Sequence, residues 1–148
     1  MLKLAITTSL VNAFIATISL KLLQVFNFIP WHPTRFMDSI YFVRLFAAPE
    51  KWLILGIIIF IVSFILYMIS AAIPFVPGWI SSIVAAIIIV FVVHSLIIDF
   101  QYKWSEMKKL PIPFIVLVLF CCRFVTETSV FYMKEKLIKE AKLIRETK

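Results

Sequence analysis

Glycine is scarce in this chain, which contains only Gly56 and Gly78 in 148 residues. Phosphate-binding loops and folds with many tight turns both depend on glycine. The sequence also lacks HExxH, CxxC, GxSxG and Walker motifs, and its carboxylates do not cluster as metal-binding pairs. These absences argue against the common hydrolases and nucleotide-binding enzymes. We therefore expect no cofactor and no enzymatic activity.

Cysteine is also rare, and the two cysteines present, Cys121 and Cys122, are adjacent. Adjacent cysteines rarely form a disulfide with each other, because the closed ring strains the peptide between them. Both lie inside an apolar run, where a metal or redox role is not expected. We interpret them as two buried thiols that pack as small hydrophobic side chains.

Apolar residues are abundant instead. Hydrophobic residues make up 63% of the chain and charged residues 16%, whereas a soluble domain is about half apolar and a quarter charged. A domain this small has too little interior to hide that much apolar surface. We therefore predict one all-α membrane domain over residues 1–148, with the lipid bilayer as its solvent.

Four apolar runs are long enough to cross a hydrocarbon core of about 30 Å. The predicted spans cover about 4–29, 52–73, 79–98 and 111–132. The four tryptophans, Trp31, Trp52, Trp79 and Trp104, fall at or just beyond the ends of these spans, where interfacial tryptophans are common. The sequence thus predicts a bundle of four transmembrane helices.

The segment 30–51 mixes apolar residues with Arg35, Asp38 and Arg44, so it is too charged to span and too apolar to be a simple loop. We expect an interfacial or re-entrant segment between helices 1 and 2, ended by Pro49. The tail 133–148 is predicted to form a basic amphipathic helix. Its apolar face comprises Leu137, Ile138, Ala141 and Ile144.

Small residues recur every fourth position in two of the spans. The rows are Ala5, Ser9, Ala13, Thr17 and Gly78, Ser82, Ala86. Rows of this kind let another helix approach closely. We expect spans two and three to form an antiparallel hairpin with close contact near its turn.

Arg123 and Glu127 are the most informative polar residues, because they lie inside the fourth span. Arg123 follows Pro111 by twelve residues, or about 18 Å of helix, which predicts a position near mid-bilayer. Glu127 lies on the same face and can pair with it. Asn12, near the middle of helix 1, is expected to contact helix 4 and complete a polar site. The pair is either a proton, ion or anionic-ligand site, or a structural ion pair with charges that reach an interface.

The formal net charge is +7, and the basic residues lie mostly between and after the apolar runs. That distribution favours anionic lipids, above all at the C-terminal tail, over nucleic acid. An even number of spans places both termini on one side. The side with the termini would then carry seven basic residues, Lys3 and six in the tail, and the other side would carry six, all in the connections. The concentrated charge of the tail favours termini in the cytoplasm, with the chain in the cytoplasmic membrane.

The layout of the chain resembles the YqhR family of small bacterial membrane proteins. The resemblance rests on four features: Val25-Phe26-Asn27-Phe28 at the end of the first helix, a segment with Pro30, Trp31, Pro33, Pro49 and Trp52, the stretch from Ser63 to Tyr67, and the Pro77-Gly78 turn. Low glycine content and the charged tail depart from the family pattern. The resemblance implies a bacterial, multi-pass location and carries no implication for catalysis.

Two functions remain as hypotheses. The first is a non-enzymatic subunit, scaffold or regulator of a membrane complex, which would bind another membrane protein or itself. The alternative is an oligomeric small transporter or channel that uses Arg123 and Glu127. A third idea, an enzyme of lipid or envelope chemistry, would require a water-accessible polar cavity.

Overall fold

The computed structural model describes residues 2–29, 32–34, 47–97 and 111–146, except for the side chains of residues 94, 96, 97, 143 and 146. Over these ranges the regular secondary structure is entirely α-helical. The helices are α1 (Leu2–Val25), α2 (Ala48–Ala72), α3 (Gly78–Ile97) and α4 (Ile112–Glu146). Most of the segment predicted to be interfacial, at 30–31 and 35–46, lies outside the described residues, so that expectation stays a prediction.

Helix α1 ends at Val25, four residues before the predicted end of the first span. Asn27 adopts a left-handed backbone conformation with φ of 57°. The N–H of Asn27 donates to the carbonyl of Gln24 at 3.1 Å, and that of Phe28 donates to the carbonyl of Leu23 at 2.9 Å. This pattern is a Schellman motif, and asparagine tolerates its left-handed position better than most residues.

Helix α2 begins at Ala48, earlier than the predicted start at Trp52. Pro49, which was expected to end the preceding segment, occupies the first turn of α2; that segment itself lies outside the described residues. A proline fits there, since its missing N–H would have no partner within the helix. The Glu50 carboxylate accepts a hydrogen bond of 2.9 Å from the N–H of Ala47 and so caps the helix start.

The small-residue row of α1 packs against α2; the sequence predicts a close helix at this row and does not identify which one. Ala5, Ser9 and Ala13 are buried. At the same interface Gly56 of α2 lies against Thr17, and a Cβ on the glycine would be in ordinary contact with Thr17 Oγ1 at 3.4 Å. The two helices run antiparallel, and both also contact α4.

The row on α3 has a different partner from the one predicted. Helices α2 and α3 make few contacts, whereas α3 packs extensively along α4. Ser82 and Ala86 are buried, and Gly78 lies against Glu127 of α4. The expected close hairpin of spans two and three is therefore wrong. Small residues show where a helix can approach, but they do not identify which helix does so.

The interior of the bundle mixes small polar side chains with apolar ones, and its surface is apolar. The fully buried side chains include Ser9, Ser82, Thr126 and Ser129 as well as Tyr67 and Val125, while large apolar side chains on all four helices are exposed. A soluble domain rarely exposes so many large apolar side chains, whereas they are expected where lipid is the solvent. By length and composition α1, α2 and α4 are able to cross a membrane, and Gly78–Val93 of α3 is a shorter apolar helix. Four spans therefore remain a prediction.

Helix α4 contains the predicted fourth span and the tail in one continuous helix of 35 residues. At 1.5 Å per residue it is about 52 Å long, compared with a hydrocarbon core of about 30 Å. Residues 134–142 are exposed throughout. The tail therefore extends past the other helices, with Leu137 and Ile138 exposed beside its charges.

Candidate functional site

Arg123 and Glu127 form the ion pair that their spacing predicts. Arg123 Nε donates to Glu127 Oε1 at 2.9 Å, one helical turn away. The side chains are 61% and 47% exposed, respectively. The pair lies on the outer surface of α4, rather than inside the bundle where charged groups of a membrane helix are usually found.

The pair lies on the part of α4 that faces the start of α3. Glu127 packs against Gly78, the first residue of α3. The hydroxyl of the neighbouring Thr126 donates to the Cys122 carbonyl of its own helix at 2.9 Å and, less closely, to the Gly78 carbonyl at 3.1 Å. Gly78 directly follows the turn between α2 and α3, so the pair lies near that end of the bundle. The mid-bilayer depth expected from counting along the helix from Pro111 stays a prediction.

Asn12 finds its partner in α2. Its Nδ2 donates to Ser63 Oγ at 2.8 Å, and both residues are buried. The described hydrogen bond of Asn12 therefore crosses the α1–α2 interface, where the helices approach closely at small residues, and does not reach helix 4. The structure does not bring Asn12 together with Arg123 and Glu127 in one polar site.

Three polar residues of α2 share one buried face that the sequence analysis did not single out. Ser63, Tyr67 and Ser70 recur at helical spacing and are all buried. Ser129 of α4 donates to the backbone carbonyl of Tyr67 at 2.8 Å. The signal was available, because these are the polar side chains of an otherwise apolar helix and their spacing of four and three residues places them on one face.

Two hydroxyl groups in this polar interior have no hydrogen-bond partner among the described residues. They are Ser9 Oγ and Tyr67 Oη, and both residues are completely buried. A buried hydroxyl without a partner loses its hydration without recovering a hydrogen bond, which destabilises the fold. Close packing of α1, α2 and α4 around Ala5, Tyr67 and Val125 offsets that cost.

A cavity of about 390 Å³ lies between α2 and α3 and is closed behind by α1 and α4. The described residues of its walls are apolar except for Asn12, Ser63 and the thiols of Cys121 and Cys122. Arg123 and Glu127 are not among its lining residues. The two thiols are unpaired and buried, as the sequence predicts.

The ends of the bundle carry further polar contacts. The Lys21 amine lies 4.6 Å from the centre of the Trp52 ring, a cation–π contact suited to an interface. In the tail, Lys139 pairs with Glu135 at 2.7 Å and Lys136 with Glu140 at 3.6 Å. Within the described ranges, no group of three or more histidine, cysteine or carboxylate side chains is placed to hold a metal ion.

Comparisons with models of known families, with curated proteins and with solved structures find no match. The resemblance to YqhR proteins therefore stays an expectation from the sequence. Function has to be argued from the geometry of this chain alone.

Proposed function

We propose that this protein is a non-enzymatic, multi-pass protein of the cytoplasmic membrane that acts as a subunit, scaffold or regulator by binding another membrane protein or a second copy. The observation that supports this proposal is the outer face of α4. There the Arg123–Glu127 ion pair is exposed beside large apolar side chains. Both termini are placed in the cytoplasm, as the basic tail favours.

The outer face of α4 is a continuous strip along one side of the helix. Val116, Phe120, Arg123 and Glu127 follow one another at spacings of three and four residues, and all are exposed. An ion pair on an apolar helix loses hydration when lipid surrounds it, and the cost falls when another protein or headgroups supply polar contacts. Phe120 beside it is a large apolar contact of the kind that anchors interfaces.

The same placement argues against the transporter or channel alternative. A transport pathway through the protein needs polar groups that line a passage. Arg123 and Glu127 point away from the cavity between α2 and α3, whose lining is almost entirely apolar. We therefore assign the pair to an external contact and do not assign it to a conducted ion.

Site-specific photocrosslinking in the native host tests this proposal. A photoreactive amino acid at Val116 or Phe120 should give a discrete adduct with a membrane protein, because both side chains point outward from α4. Matched positions Ile61 and Ile69 are similarly exposed on α2 and should give none. Absence of protein adducts at the α4 positions, or equal adducts at all four, would contradict the proposal.

Charge variants test the ion pair separately. Arg123→Gln and Glu127→Gln should each lower recovery of the crosslinked complex, while the Arg123→Gln/Glu127→Gln double variant measures their coupling. The matched control is Glu135→Gln/Lys139→Gln, which removes a similar ion pair from the tail. If the single variants lower expression and the double variant restores it while the complex forms normally, the pair is purely structural and the proposed contact is wrong.

A further inference from the structure

The cavity between α2 and α3 opens sideways. Val62 on α2 and Val92 on α3 both line it, yet they are 41% and 48% exposed. These valines therefore form its mouth, between two helices that hardly touch. In a bilayer this mouth faces the hydrocarbon interior, so whatever enters comes from the lipid phase.

The volume of the cavity is in the range of pockets that bind small molecules. Ligand pockets are commonly 300–1,000 Å³ and mostly apolar, with a few placed polar groups. The volume here is about 390 Å³, whereas an apolar cavity of about 150 Å³ holds one benzene. A side chain from a partner helix would fill only part of this volume, while a hydrocarbon chain fills a long cavity without closing the mouth.

The inner wall carries a hydrogen-bonding group. Asn12 is 5% exposed, lines the cavity and uses one amide hydrogen to reach Ser63. Among the described residues, no other hydrogen bond engages its side chain, so its carbonyl oxygen and second amide hydrogen remain available to a ligand. Within the part of the chain that the structure describes, no arginine, lysine, aspartate or glutamate lines the cavity, so a charged headgroup finds no counter-ion among these residues.

We propose that this cavity binds a neutral lipid, a hydrocarbon chain with one hydroxyl or carbonyl group, which enters between Val62 and Val92 and hydrogen-bonds to Asn12. The chain packs against apolar side chains of α2, α3 and α4, with Phe114 at one end of the cavity and the Cys121–Cys122 wall nearer the other. This site is separate from the outer face of α4, so it stands whether or not the partner contact does.

The test uses the full-length protein in phosphatidylcholine vesicles with two photoreactive, alkyne-tagged probes. One probe is a long-chain alcohol and the other is the matching alkane without the hydroxyl. After illumination, peptide mapping should place the label on lining segments, and the alcohol should label about threefold or more strongly than the alkane, as one buried hydrogen bond implies. Asn12→Leu should abolish that preference and retain alkane labelling.

Blocking the mouth completes the test. Val62→Trp and Val92→Trp should each lower labelling of the lining to the level of outward-facing segments. Ile61→Trp and Ile88→Trp are matched controls, because both residues are exposed on the same two helices and do not line the cavity. Retained thermal stability shows that a variant is folded. The proposed site is wrong if the label is spread evenly over outward-facing segments, or if labelling of the lining is unchanged in both Val62→Trp and Val92→Trp. The proposed role of Asn12 is wrong if the alcohol and the alkane label the wild-type protein equally.

Discussion

Gly78 and Glu127 fix the distance between the start of α3 and the backbone of α4. A Cβ built on Gly78 would lie 3.1 Å from Glu127 Cγ and 3.2 Å from its Cα. The Cα cannot move as a side chain can, so a larger residue requires the two backbones to shift by a few tenths of an ångström. The hydrogen bond from Thr126 to the Gly78 carbonyl depends on the same approach.

We therefore expect Gly78→Ala to lower the free energy of unfolding by about 1–3 kcal/mol through overpacking. Gly56→Ala is the matched control, because its Cβ would meet Thr17 at an ordinary 3.4 Å and alanine favours the helix by up to about 1 kcal/mol. Unfolding in mixed detergent micelles measures both. If the Gly78→Ala protein were as stable as the Gly56→Ala protein, the close approach of Gly78 to Glu127 would not contribute to the free energy of unfolding.

The Asn12–Ser63 hydrogen bond is expected to couple α1 and α2. Asn12→Ala and Ser63→Ala should each destabilise the protein, and the double variant should lose less than the sum of the two. Interhelical hydrogen bonds in membranes average about 0.6 kcal/mol and reach about 1.7 kcal/mol, so we expect a coupling energy in that range. A double-mutant cycle measures it, and additive losses would refute the coupling.

Tyr67→Phe is expected to leave stability unchanged or to raise it slightly. The Tyr67 hydroxyl is buried without a partner among the described residues, so its removal relieves an unsatisfied group. Tyr67→Ala should be strongly destabilising, by about 3–5 kcal/mol, because it leaves a large cavity. If Tyr67→Phe proved as damaging as Tyr67→Ala in the same unfolding assay, the hydroxyl would have a partner that supports the fold.

The direction of the helices makes the topology testable. With four crossings, both termini and the turn at 74–77 lie on one side, while 26–47 and 98–111 lie on the other. Reporter fusions at residue 1, at residue 76 and after residue 148 should therefore give the same cytoplasmic signal, and a fusion at residue 105 the opposite one. Termini on opposite sides would reduce the crossings to three.

The tail is expected to bind anionic lipid through Lys134, Lys142 and Arg145, which form no ion pair with other described residues. Replacing all three with glutamine should weaken attachment to anionic vesicles by about 1 kcal/mol per charge, and high salt should do the same. Lys136→Gln/Glu140→Gln is the matched control, since it removes an ion pair and keeps the net charge. Quenching of a C-terminal fluorophore by labelled lipid reports attachment, and equal quenching in neutral vesicles would contradict the prediction.

Much of the helical framework was predictable, because the length of an apolar run and the residues that end a helix are local features of the sequence. The predicted third span differs from α3 by one residue at each end, since the Pro77-Gly78 turn marks its start. The limits of α1 and α2 were less accurate. The end of α1 is determined by backbone hydrogen bonds around Asn27, and the start of α2 depends on the tolerance of Pro49 in a first turn. Neither feature follows from hydropathy.

The candidate site was predicted less well, because it depends on which helices are neighbours. Spacing along one helix was enough to predict the Arg123–Glu127 pair. It was not enough to predict that the pair faces outward, or that Asn12 reaches Ser63 rather than α4. The cavity between α2 and α3 was not foreseen, because it exists only where two consecutive helices are held apart by their preference for α4.

The unbroken course of α4 joins three regions that would otherwise be independent. Its inner side forms the back of the cavity, and its outer side carries the ion pair. Its last turns extend past the other helices and are exposed. A continuous helix rotates and tilts as one body. A rotation at its C-terminal end therefore moves both the side that lines the cavity and the side that carries the ion pair. We therefore expect that binding which tilts or rotates α4 at one of these places also shifts its residues at the other two.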